Sequence, residues 1–108
     1  MKLKVFSAVG VWLPCVPAAH RGNNYNCQFT ILVRATTRKR VAELTGISTY
    51  VLRTFNCLNE AGPTVGYGNS TLSVSDIVQK DETIYYHAEY TRTGYLDQWF
   101  EYPRPRRR

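Results

Sequence analysis

Cysteine, histidine and methionine are scarce in this sequence, and each shortage narrows what the chain can do. Its 108 residues include three cysteines (Cys15, Cys27, Cys57), two histidines and one methionine. An odd cysteine count without a C-x-x-C spacing is a poor disulfide framework and fits a reducing cytoplasm, so the thiols are expected free and buried. Structural zinc usually takes paired ligands about two to four residues apart, because one tight turn then supplies two bonds. Cys15, His20, Cys27 and Cys57 contain no such pair, and no metal is expected. An acid–base pair would need His20 and His87 beside one phosphate. His87 falls in a strand pattern near Tyr85 and Glu89 and reads as a surface strand residue. Gly62, Gly66 and Gly68 lack the Gly-Lys-Ser/Thr ending of a phosphate cradle, no Gly-x-Ser-x-Gly elbow occurs, and the acids are scattered. Neither a catalytic constellation nor a cofactor is expected, so the chain reads as a non-enzyme.

Long apolar runs are also missing, and none approaches the ~20 residues of a membrane span. Met-Lys-Leu-Lys followed by Val5–Leu13 and Ala18-Ala19 imitates a weak leader. Its apolar run is short, however, and Pro14 and Pro17 follow closely, so the segment is expected to stay in the fold.

The chain does have ordinary globular composition, with 44% hydrophobic and 20% charged residues, and it carries eight tyrosines. The net charge is +6. Residues 1–102 hold ten Lys or Arg against eight Asp or Glu, a balance of +2, and Pro-Arg-Pro-Arg-Arg-Arg at 103–108 supplies the other four charges. Residues 1–102 are read as one domain and 103–108 as a mobile basic tail, serving either an acidic partner or only solubility.

Lys2–Leu13 and Tyr25–Ala35 read as strands. In the second, Phe29, Ile31 and Val33 alternate with polar positions, and Leu32 interrupts the polar face, which implies cover on both faces. Thr36 or Thr37 caps a helix whose apolar stripe is Val41 and Leu44, extended by Ile47, and Gly46 stops it. Ser48 or Thr49 caps a second short helix, with Val51, Leu52 and Phe55 expected to face inward. Residues 59–70 read as a loop, 75–79 as one helical turn or a short strand, and Ile84–Tyr90 with Tyr95–Tyr102 as a hairpin. The fold class is therefore α+β, a small and mainly antiparallel sheet with one helical pair packed on one face.

Residues 38–55, RKRVAELTGISTYVLRTF, have the pattern of a helix-turn-helix, with Ala42 where the helices meet, Gly46 at the turn and Ile47, Leu52 and Phe55 behind the second helix. TGISTYVLRTF resembles the TGVS-x-x-x-LR-x-Y stretch of MerR-type regulators. That resemblance implies that Ser48–Arg53 faces a major groove and that Arg53 meets a phosphate or a guanine. The longer stretch ILVRATTRKRVAELTGISTYVLRTF resembles the strand-then-helix core of small uncharacterised phage and plasmid proteins, which implies a compact α+β unit in which the helical pair is mainly structural.

The aromatics of the last two strands offer three uses: core, a Tyr-rich protein contact, or a stacking platform for bases. The expected binding residues are Arg38, Lys39, Arg40, Tyr50, Arg53, Tyr86, Tyr90 and Trp99. The expected function is that of a phage or mobile-element accessory protein in the host cytoplasm. It would bind a host protein or nucleoprotein rather than a membrane, as an inhibitor of bacterial immunity of the anti-CRISPR kind does. The alternative is a helix-turn-helix DNA-binding regulator.

Overall fold

An extra residue in the first strand sets the pattern of the fold. β1 (Lys4–Trp12) pairs antiparallel with β2 (Gln28–Ala35), and the register passes from Ala8↔Ile31 to Val11↔Phe29, so Val9 and Gly10 stand opposite one residue of β2. This β-bulge flips the side-chain alternation. Phe6 and Ala8 before it, and Val11 and Leu13 after it, then all enter the same core. Gly10 sits at φ +63, a conformation that L side chains rarely adopt. The computed structural model describes residues 2–21, 26–67, 70–91 and 94–103. Side chains at 18, 21, 66, 67, 70, 89–91 and 94–97 lie outside the description, as does the tail from 104 to 108.

Among the described residues, five strands form one sheet in the order β3-β1-β2-β6-β7, every neighbouring pair antiparallel. The flanking strands are β3 (Asn59–Glu60), β6 (Ile84–Thr91) and β7 (Gly94–Glu101). A separate two-stranded hairpin joins β4 (Thr64–Tyr67) to β5 (Ser70–Ser73). The helices are α1 (Ala18–Arg21), α2 (Arg38–Thr45), α3 (Thr49–Thr54) and α4 (Val74–Ile77). None is long and apolar enough to cross a membrane.

The central strand β2 is covered on both faces. Phe29, Ile31, Val33 and Ala35 join Val41 of α2, Leu52 of α3 and Tyr86 in the larger core. Leu32, pointing the other way, joins Val74, Val78 and Tyr85 in a second cluster, against which Val65, Ile77 and Trp99 pack. The α+β sheet with a helical pair on one face is thus the observed architecture, and the cover that Leu32 implied is the β4–β5 hairpin and α4. Residues 59–70 are not a plain loop: they contain β3, β4 and the start of β5. Gly62-Pro63 and the following glycines punctuate the sequence so closely that strands of two to four residues leave no periodic signal.

Three burial expectations are corrected. Phe55 is 70% exposed, not inward. Helix α3 ends at Thr54 and Phe55 is its C-cap, so the three-residue spacing from Leu52 no longer returns it to the buried face. His87 is 7% exposed rather than on the surface, because the second layer covers its face of the sheet. Cys15 and Cys57 are free but exposed, and Cys27 is half-buried. Each lies in a connection rather than inside a helix or strand.

Candidate interaction surface

The helical pair forms as the caps dictate. Thr37 Oγ1 accepts from Arg40 N at 3.1 Å and starts α2, while Gly46, left-handed at φ 74, ends it and donates to Ala42 O. Ser48 Oγ accepts from Val51 N at 3.2 Å and starts α3. Thr45 stitches the turn between them: its hydroxyl donates to Ala42 O and accepts from Ile47 N, both at 3.2 Å.

Helix α3 is anchored by Leu52, which is fully buried. Its outer side carries Tyr50, Arg53 and Thr54, one turn apart, which line a shallow depression of about 330 Å³. Tyr50 is 72% exposed, the highest value among the large hydrophobic side chains described, with Phe55 next. No acidic residue lies on α3, and no carboxylate pairs with Arg53 among the described residues.

The end of α3 is tied to the bulge of β1. Asn56, buried, donates through Nδ2 to Val9 O at 2.8 Å and Gly10 O at 3.0 Å, and its own carbonyl accepts from Val9 N at 2.8 Å. Asn56 N in turn donates to Leu52 O. This clamp holds the end of α3 against the edge of β1 at Val9, which is exposed, as are Tyr50, Arg53 and Phe55. Phe55, Val9 and Asn56 were not legible in the sequence, where only the apolar spacing spoke for Phe55, and it spoke for the core.

The neighbouring cations of α2 are placed differently. Arg40 donates through Nε and Nη2 to both carboxylate oxygens of Glu82, at 2.9 and 3.0 Å, and through Nη1 to Glu43 at 2.9 Å. The Glu82 hydrogen bonds, then those to Glu43, hold its guanidinium more firmly protonated than usual. Arg38 stacks 5.5 Å over the Phe6 ring. Lys39 is exposed.

The aromatic candidates of the last two strands separate. Tyr86 is only 1% exposed and belongs to the core, so it is not a surface contact. Its hydroxyl meets His20 Nδ1 at 2.7 Å, and His20 stacks on Phe100 at 4.0 Å. Burial, and then the neighbouring Tyr102, pushes the Tyr86 phenol up to about 12. Trp99 is half-buried against the second cluster. Tyr90 lies on β6, but its side chain is outside the described residues. Trp12, 59% exposed, points away from the face that holds Val11 and α3, so it does not extend the α3 surface.

The structure does not gather the acid–base candidates. His20 contacts Tyr86 from one face of the sheet, and His87, the next strand residue, points to the other, where its ring lies 5.1 Å from Trp99. Among the described residues, no three His, Cys, Asp or Glu side chains lie together as metal ligands. Cys15 N donates to Tyr102 Oη at 3.0 Å, whereas Cys57 lies beyond α3. Compared with protein-family models, curated proteins and solved structures, the chain matches none.

Proposed function

We propose that this protein is a non-catalytic binding module that docks on a macromolecular partner through α3 and the bulged edge of β1. The observation that carries this reading is the exposure of Tyr50 and Phe55 on a capped, clamped helix around an Arg53 that no carboxylate pairs among the described residues. Water-exposed aromatic surface gains free energy when it is covered, and Tyr and Arg are the residues that most often dominate protein interfaces. A rigid helix loses little entropy on docking. A host protein or nucleoprotein in the cytoplasm is the partner this surface fits, and phage or mobile-element accessory proteins, inhibitors of bacterial immunity among them, are the functional class. The test is co-purification from a bacterial host with tagged wild type beside a Tyr50→Ala/Phe55→Ser double variant. A protein recovered with the wild type and lost with the variant supports the reading; recovery of identical proteins by both contradicts it.

The helix-turn-helix alternative is favoured by one feature, the left-handed Gly46 turn leading into an N-capping Ser48 with Arg53 exposed behind it. At about 1.5 Å per residue, the six residues of α3 span only about 9 Å, and aromatic side chains flank Arg53. A salt titration against duplex DNA separates the two readings: a DNA reader loses affinity steeply with salt and on Arg53→Ala, whereas a protein-docking surface gives no binding at physiological salt.

A further inference from the structure

The opposite side of the sheet carries a second feature, independent of α3. Between β7 and the α4 segment lies an open cleft of about 530 Å³. That is within the range of roughly 300–1,000 Å³ of small-molecule sites. Its floor is aromatic. Trp99 packs on the second cluster, with His87 tilted beside it at 53°, and keeps part of its surface accessible. Beside it the Tyr85 hydroxyl is fixed by accepting from Lys80 N at 3.1 Å. The rim is polar: Asp76, Gln79 and Glu101 border the cleft.

Charge selects among ligands. Among the described residues Lys80 is the sole cation lining the cleft, and its Nζ lies 3.2 Å from Glu101 Oε1, so its charge is already neutralised. No cation pairs with Asp76 among the described residues. A phosphate or carboxylate entering the cleft therefore meets an uncompensated negative charge. A cationic ligand meets a net charge of only one unit, within a chain of net +6. What the lining offers without penalty is an indole for an apolar ring face and carboxylate and amide acceptors for hydroxyl groups. We propose that this cleft binds a neutral polyhydroxylated ring, one or two sugar units, with the ring face on Trp99 and hydroxyls donating to Asp76 and Gln79.

The test uses the full chain labelled with ¹⁵N and titrated, while amide shifts are followed, with methyl glucoside, maltose, cellobiose and diacetylchitobiose, and with arginine and adenosine monophosphate as charged probes. The expected result is a saturable shift at residues 76–80 and 98–101 with at least one neutral sugar, and a weaker or absent response to both charged probes. Asp76 and Gln79 are exposed, so Asp76→Ala and Gln79→Ala leave the fold in place, and each is expected to weaken that response by about tenfold. Three results would overturn the proposal: no shift at these residues with any sugar up to about 50 mM, a stronger response to a charged probe, or sugar shifts unchanged in both variants.

Discussion

Helices α2 and α3 are successive members of one pair, each starting at a hydroxyl cap and each burying one apolar anchor, yet their outer faces are opposites. On α2, Arg40 is fixed between Glu82 and Glu43, and Arg38 lies over Phe6. On α3, Tyr50 and Arg53 have no such partners among the described residues, and Phe55 follows them into solvent. The difference teaches that basic residues close in sequence need not share a role. Arg40 ties α2 to Glu82 and Arg38 lies against Phe6 of β1, whereas the α3 face carries exposed Tyr50 and Arg53 and is the face proposed for docking.

The largest effect expected is on the anchors that make the pair equivalent. Leu52→Ala should cost about 3 kcal/mol and Val41→Ala about 2 kcal/mol, because both sites are fully buried and leave cavities. Chemical denaturation measures both. If Leu52→Ala cost little, α3 would not be a rigid platform. Next comes the clamp. Asn56→Ala removes two side-chain hydrogen bonds to the bulge and should cost about 2 kcal/mol, and Gly10→Ala about 1 kcal/mol through its positive φ. Loss of partner binding in Asn56→Ala at temperatures where the chain stays folded would tie binding to the clamp itself.

The comparison sharpens with one arginine from each helix. Arg40→Ala should lower stability only slightly in a denaturant titration, since its ion pairs are partly solvent-exposed, and should leave partner capture unchanged. Arg53→Ala should do the reverse, leaving the melting temperature unchanged while weakening capture by about tenfold. The smallest effect is alkaline. Because the folded state holds the Tyr86 phenol up to about 12, unfolded chains lose this proton first as pH rises through the ordinary tyrosine range. Stability present below about pH 10 is therefore expected to drain away between about pH 10 and 12, and Tyr86→Phe should flatten that part of a stability–pH profile.

Much of this architecture was legible because its signals are local. Thr37, Gly46 and Ser48 announce the helical pair through cap chemistry, and the alternation around Leu32 announces a sheet covered twice. The bulge was not legible: β1 reads as one strand, and only its pairing with β2 shows that Val9-Gly10 opposes a single residue. Phe55 failed for a related reason, since periodicity holds only while a helix continues, and α3 stops one residue earlier. His87 and Tyr86 are both buried where a surface position and a contact were expected, because a strand covered on both faces carries no polar side to read. The cleft beside Trp99 draws on α4 and β7, elements distant in sequence, and spacing alone cannot bring them together.

The account rests on α3 as the docking face, and one experiment tests this most directly. Wild type, Tyr50→Ala/Phe55→Ser and Arg40→Ala are expressed with a tag in a bacterial host, and co-purifying proteins are quantified by mass spectrometry beside a melting curve for each. The account predicts a partner retained by wild type and Arg40→Ala and lost by the double variant, with the double variant melting like the wild type. A partner set identical for all three proteins would contradict it.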